Sequence, residues 1–310
     1  FGKRMIKSIT VTNPLNQSLK LILTDPDESY GFEVWDVTGL GPVNATINTT
    51  PYALDDGDFF NSSRVGMRNI VLTLGLRESE SIEETRLRSY AYFPLKGKVR
   101  IQVETDSRLY WVDGWVEKNE PDIFSTQESI QVSIIADPYF KSEPVEASYI
   151  LVTSNFEFPF ENTPLGSSNL ELSTMTTISM INVQYPVHSV RTGFIAEILC
   201  TGSVIFPGIK NNTPNPNELI EIDTSRLSNV LGGSVTAFSA GDRIVINTIA
   251  GQKSAKLYRG ANVYNLLNII PRTSSWVSLY PGDNEISTQA TTGANAMLVK
   301  LRYEPQYQGV

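Results

Sequence analysis

Three aspartates, Asp55, Asp56 and Asp58, surround Gly57, and carboxylates clustered on a turn supply the oxygen ligands that Ca²⁺ takes. Their spacing departs from the D-x-D-x-D-G loop, and no Glu falls where a bidentate ligand would sit. A solvated turn held by Asp side chains is the favoured reading. The single histidine, His188, stands near Arg191 in a segment read as a strand end. Ser-His-Asp chemistry would have to use it, yet no G-x-S-x-G elbow is present, and an ordinary turn or surface histidine is expected. The single cysteine, Cys200, closes the apolar run Phe194 to Cys200 with no His or basic cluster beside it in sequence to lower its pKa. It reads as a buried, inert thiol of a chain made in a reducing cytoplasm. Paired carboxylates for glycoside hydrolysis are a spatial matter, but Asp and Glu here lie mostly in turns and on polar strand faces. No catalytic residue, cofactor or metal is assigned, and the chain is read as a non-enzyme.

Trp35, Trp111, Trp115 and Trp276 could stack on sugar rings if exposed, although tryptophan in a β-sandwich is expected in the core. The sequons at Asn44, Asn48, Asn61 and Asn211 carry no weight, because FGKRMIKSITV does not read as a secretory signal.

The elements that must carry these residues are mostly strands. From residue 37 to 76, two alternating segments, Val43 to Asn48 and Ile70 to Leu76, enclose PYALDDGDFFNSSRVG. That loop is too long for a tight hairpin and too rich in Tyr52, Leu54, Phe59 and Phe60 for a solvated linker. Its apolar groups must be buried beneath it or against another subunit. Upstream, Met5 to Val11 and Leu19 to Leu23 read as strands about an Asn13-Pro14 turn, Thr24 to Asp27 closes them, and Phe32 to Val37 is a further short strand. Ser81-Ile82-Glu83-Glu84 has the form of a capping box. The helix it starts, the only substantial one expected, places Leu87, Tyr90 and Ala91 on one face, pairs Glu84 with Arg88, and stops at Pro94.

Strands resume at Val99 to Val103, Leu109 to Glu117 and Ile130 to Ile135. The short polar KSEPVEA segment, 141–147, marks a domain boundary. Beyond it, Ser148 to Phe158, Ile178 to Tyr185, Gly193 to Thr201, Glu218 to Asp223, Arg243 to Thr248, Lys256 to Tyr258 and Met297 to Tyr303 read as strands of a β-sandwich, PGIKNNTPNPN as a turn. Ala261 to Ile270 is ambiguous between strand and helical turn. No apolar run approaches a membrane span. A net charge of -8 and scattered basic residues, grouped only at Lys3/Arg4/Lys7 and Arg86/Arg88, exclude specific nucleic-acid binding.

Several stretches resemble the distal tail (Dit) proteins of phages with long non-contractile tails. They are GLGPVNATINTT, DGDFFNSSRVGMRNIVLTLGL, the helix with YFPLKGKVRI, WVDGWVEKNEPDIFSTQESIQVSIIADPYF, GDRIVINTIAGQKSAKLYRGANVYNLLNII, WVSLYPGDNEI and VKLRYEPQYQGV. The resemblance covers nearly the whole chain and is thinnest between residues 150 and 215. It implies a mainly β fold: an N-terminal, β-sandwich-like ring-forming domain with one helix over 1–140, then a C-terminal galectin-like β-sandwich over 141–310, the last strand returning to the first domain. It also implies a virion structural protein of the tail tip and baseplate, made in the host cytoplasm. Its subunits would form a homohexameric ring between the tail-tube protein and the tail-associated hub or lysin protein, with receptor-binding proteins around the periphery. A permanent ring buries ~2,000 Å² or more per interface, and the apolar loop is a natural donor: Phe59, Phe60, Asn61, Arg64 and Arg68 are the candidate interface residues. The alternative is a carbohydrate-binding adhesion module. A galectin-type sugar site is not matched, since His188-Ser189-Val190-Arg191 lacks the Asn and the segment Trp276 to Tyr280 lacks the following Glu and Arg.

Overall fold

The computed structural model describes residues 5–23, 31–77, 81–122, 128–148, 150–154, 173–177 and 180–310. Outside them lie the expected Thr24 to Asp27 turn, the Lys3/Arg4 pair, and parts of the strands expected at 148–158 and 178–185. The chain divides into two compact units, Phe1–Glu143 with Gln306–Val310, and Pro144–Pro305.

In the first unit the strands are β1 (Ile6–Thr12), β2 (Ser18–Ile22), β3 (Phe32–Thr38), β4 (Ala45–Pro51), β5 (Asp58–Val65), β6 (Arg68–Leu76), β7 (Lys98–Thr105), β8 (Leu109–Asp122), β9 (Ser129–Ala136) and β10 (Phe140–Lys141), with helix α1 (Ile82–Tyr92) between β6 and β7. Strand β8 belongs to two antiparallel ladders. Its first half pairs with β7, which leads to β1 and β2; its second half pairs with β9, which leads to β6 and β3. One strand running through both ladders is how a sheet folds over on itself to enclose a core. Gly114 sits at the hand-over, opposite both Val99 and Ala136. A β-carbon there would stand 2.8 Å from that of Ala136, so only glycine permits the approach. The inward residues alternate as period two requires: Ile9 and Val11, Ile70, Leu72 and Leu74, Val99, Ile101 and Val103, and Ile130, Val132 and Ile134 are all buried in one cluster. The chain's last segment, Gln306–Tyr307, returns to pair with β10.

Strands β4 and β5 stand apart. They pair only with each other, forming a two-stranded arm exposed along almost its whole length. The expected long loop is therefore largely strand: the arm turns at Tyr52 to Gly57, where the Tyr52 N–H donates to the Gly57 carbonyl at 3.2 Å. The two segments expected to flank that loop are not partners, since Ile70 to Leu76 lies in β6 between β3 and β9. The physical reason is that the returning strand β5 is wet on both faces and shows no alternation to read.

Helix α1 starts as its sequence predicts, the Ser81 hydroxyl accepting from the Glu84 N–H at 3.1 Å. It ends at Phe93, a fully buried residue that leaves the helical conformation before Pro94, its N–H donating to the Ser89 carbonyl at 2.8 Å. Leu87, Tyr90 and Ala91 share one face as expected, and that face is exposed, whereas Thr85 and Ser89 are buried. The cause lies beneath the helix, where Asn119 of β8 offers its amide to the Ser89 carbonyl and hydroxyl at 3.4 and 3.5 Å.

Among the described residues the second unit holds a separate two-stranded ladder, Ile150–Ser154 with Ser173–Thr177, and two larger antiparallel sheets that supply its core. One runs in the order Val145–Ser148, Met297–Tyr303, Ile195–Cys200, Arg243–Asn247, Ser254–Arg259, Asn262–Asn265. The other runs Met180–Tyr185, Gly282–Gln289, Gly208–Asn211, Glu218–Glu221. Phe194, Ile198, Phe238, Ile244, Leu257, Ile286 and Val299 belong to the core cluster of this unit. The ambiguous segment 261–270 holds both elements, a strand followed by a single 3₁₀ turn, Leu267–Ile269.

Candidate functional site

The arm gathers four of the five candidate interface residues. Phe59 and Phe60 lie opposite Thr50 and Thr49 on successive positions of β5, so they project from opposite faces of the ribbon. They are 59% and 57% exposed, and Leu54 at the tip is 97% exposed. Polar cross-strand bonds hold the ribbon: Asn61 Nδ2 donates to Thr50 Oγ1 at 2.6 Å, Thr49 Oγ1 to Asp58 Oδ2 at 2.7 Å, and Asn48 Nδ2 to Ser62 Oγ at 3.1 Å. Arg64 is exposed near the base. With a rise of ~3.4 Å per residue, strands of seven and eight residues carry the tip roughly 20 Å beyond the base. An isolated two-stranded ribbon is at best marginally stable in water.

Arg68 stands differently. It is 1% exposed, with its guanidinium turned inward: Nη2 donates to the carbonyls of Pro138 and Gln308 at 2.6 Å each, Nη1 to that of Gly39 at 3.0 Å, and Nε to Pro138 at 3.2 Å. The cation lies 4.2 Å from the centre of the Phe140 ring. Burial draws its pKa down to about 10, which leaves it charged at neutral pH. Arg68 follows the returning leg of the arm and Gly39 precedes the outgoing leg, so this residue clamps the arm's root. Gly39 is itself obligatory, having φ of +83° and a β-carbon position 2.0 Å from the Asn69 carbonyl oxygen.

The residues with chemical potential are scattered. Asp55 and Asp56 are exposed at the arm's tip, and among the described residues no group of three or more His, Cys, Asp or Glu is placed to hold a metal ion. His188 is exposed between two strands of the second unit. Cys200 is buried, and burial, reinforced by the negative charge of Asp242, raises its pKa to about 12. None of the four tryptophans is a buried core residue, contrary to expectation: Trp35 and Trp115 are exposed, and Trp111 and Trp276 are half-buried. Both half-buried rings lie near cations, Trp111 with Arg100 at 4.1 Å and Lys141 at 4.7 Å, and Trp276 with Lys253 at 5.4 Å. Arg191 is engaged by Glu218 at 2.9 Å, which also accepts from the Tyr280 hydroxyl at 2.6 Å. Burial and that carboxylate hold the Tyr280 pKa above its ordinary value.

No family model and no curated protein matches this sequence. Solved structures do. The class defined is the mainly β fold of a phage Dit protein, from the family that the sequence resembles. The particular structure is the SPP1 Dit protein, described as a paradigm of the hub adsorption apparatus of phages infecting Gram-positive bacteria. The match covers 96% of this chain and 99% of that one, with a TM-score of 0.61 at 11% identity, and it shows a shared fold. The phage P2 baseplate in its activated conformation also matches: with Ca, at 10% identity, a TM-score of 0.45 and coverage of 95% and 97%; with Sr, at 10%, 0.44, and 96% and 97%.

Proposed function

We propose that this chain is a structural subunit of a phage tail tip, forming a hexameric ring that joins the tail tube to the hub and host-adhesion apparatus. The first unit would build the ring and the second, a galectin-like sandwich, would project from it. Tail-tube protein, the hub or lysin protein and receptor-binding proteins would be its neighbours in the virion. The observation that carries the reading is the arm: a ribbon exposed on both faces, bearing Leu54, Phe59 and Phe60, on a root clamped by a buried arginine. The Dit-like fold supports the same reading.

Magnitudes show what the arm can contribute. Three large apolar side chains, each worth about 1.5–3 kcal/mol when fully buried, give roughly 5–9 kcal/mol. Association costs about 4–15 kcal/mol. One arm contact is thus comparable to the cost of docking, and closure of a ring, which gives every copy two contacts, tips the balance.

Native mass measurement and negative-stain microscopy at micromolar concentration test this. The wild-type chain should give closed rings, and Phe59→Ala with Phe60→Ala should release monomers that melt at the unchanged temperature. A chain that stays monomeric even beside a hub protein would overturn the ring. Monomers unfolded by the double substitution would return the arm to the subunit's own core.

A further inference from the structure

Three strips of backbone meet at the arm's root. Residues 39–41 lead out to β4, Arg68 receives the chain back from β5, and residues 308–310, which follow the second unit in the chain, touch both. We infer that residues 308–310 set the arm for docking, so that a subunit can enter a ring only after its second unit, Pro144–Pro305, has been made; this rests on the ring reading.

The contacts are made by backbone and leave little room for variation. The Val310 N–H donates to the Leu40 carbonyl at 3.1 Å, and both side chains pack in the first unit's core. At Gly309 a β-carbon would stand 2.9 Å from the Leu40 carbonyl oxygen and 3.0 Å from the Gly41 carbonyl carbon, so this approach needs glycine. Arg68 joins the strips: Nη1 donates to the Gly39 and Gly41 carbonyls at 3.0 and 3.4 Å, and Nη2 to the Gln308 carbonyl at 2.6 Å. With residues 308–310 displaced, the guanidinium loses an acceptor, the Leu40 carbonyl loses its donor, and the outgoing leg is held from one side. The ribbon pairs with no other described strand, so its direction is fixed at the root.

Chain order turns this support into a sequence of events. Arg68 and Gln308 are 240 residues apart, with the second unit between them. A contact of that separation closes late, because its loop is long and because N-terminal segments leave the ribosome first. Strand β5, with Phe59 and Phe60, therefore exists long before its root is closed. The two halves of the returning segment divide the work: Gln306–Tyr307 anchors it to β10, and residues 308–310 hold the arm. Ring entry thereby selects subunits that carry a second unit.

Gly309→Val tests the gate in the full chain, with Ile101→Ala as a variant that weakens the same core away from the root. Spin labels at Leu54→Cys on the tip and Lys20→Cys on β2 report the arm's direction in dilute monomers by pulsed dipolar spectroscopy; Cys200 is buried and stays unlabelled. The parent chain should give one narrow distance distribution. Gly309→Val should broaden it and abolish rings in native mass measurements, whereas Ile101→Ala should lower the melting temperature and leave both unchanged. If Gly309→Val does not fold, Val310→Pro, which removes the N–H given to Leu40, should give the same broadening and the same loss of rings. Rings that form as readily from the variant, or rings lost without broadening, would overturn the gate and leave the ring standing. A wild-type chain that forms no assembly would overturn both.

Discussion

At the scale of single residues, Arg68 bears the largest structural burden. A buried charge normally has a counter-ion, but this one is neutralised by the carbonyls of Gly39, Pro138 and Gln308 and by the Phe140 ring. Those four positions come from the arm's root, the end of β9, the chain's last residues and β10. Removing the guanidinium would strand several buried carbonyls at once, so Arg68→Met should cost about 3–5 kcal/mol in denaturant unfolding of the first unit. Arg68→Lys should recover only a minor part, because an ammonium cannot reproduce the planar fork. A loss below about 1 kcal/mol for either variant would show that the clamp is dispensable. Nothing in the sequence distinguishes this arginine from Arg64, four residues earlier and exposed. Which of them turns inward depends on where the chain brings carbonyls from distant segments, and that is a tertiary fact.

At the scale of elements, legibility followed burial. Val99, Ile101 and Val103 in β7 and the strand Met297–Tyr303 alternate because one face meets a core, and their periodicity is visible in the sequence. The arm has no buried face, so its second strand is hidden. Gly208–Asn211 was hidden for the opposite reason: it is mostly buried but polar, Asn211 being satisfied at 2.8 Å by the Ser278 carbonyl and at 3.1 Å by Asn284 Oδ1. The shared face of Leu87, Tyr90 and Ala91 was legible from spacing, but its turn toward solvent depends on the polar Asn119 beneath Ser89, which spacing does not show. Pairing across β7 and β8 shows a further element-level effect. Asp113, opposite Arg100, accepts from its Nε at 2.7 Å and is 3.1 Å from Lys98 Nζ. Burial pushes the Asp113 pKa up, but Arg100 and Lys98 together outweigh it and leave the value below the ordinary 3.8. A carboxyl with a depressed folded pKa contributes stability that is present above its unfolded value and is lost as pH falls through the folded one. Unfolding of the first unit followed by denaturant at stepwise lower pH should therefore steepen below about pH 4, and Asp113→Asn should flatten that fall while lowering stability at neutral pH. Identical acid profiles for the two chains would remove Asp113 from the account.

At the scale of the whole molecule, the chain leaves the first unit near Glu143, builds the second through Pro305, and comes back for its last residues. The return makes an N-terminal core depend on residues remote in sequence. Tyr307 is buried, edge-on to Tyr110 with ring centres 5.2 Å apart, and its hydroxyl accepts from Arg108 Nη1 at 2.9 Å. Gln308 supplies one of the Arg68 acceptors, and the Val310 N–H donates to the Leu40 carbonyl at 3.1 Å. Deleting residues 306–310 should therefore weaken the first unit by roughly 3–5 kcal/mol, the sum of one buried aromatic and the hydrogen bonds lost with it. For a unit of this size that corresponds to about 10 °C in its melting temperature. The second unit encloses its own core from residues between Val183 and Tyr303 and uses none of these five residues in it. Calorimetry of the shortened chain should accordingly show the first unit's transition displaced downward and the second unit's in place. Transitions that fall together would mean that the two cores unfold as one cooperative structure, and an unmoved first transition would mean that the returning segment rests on the unit without supporting it.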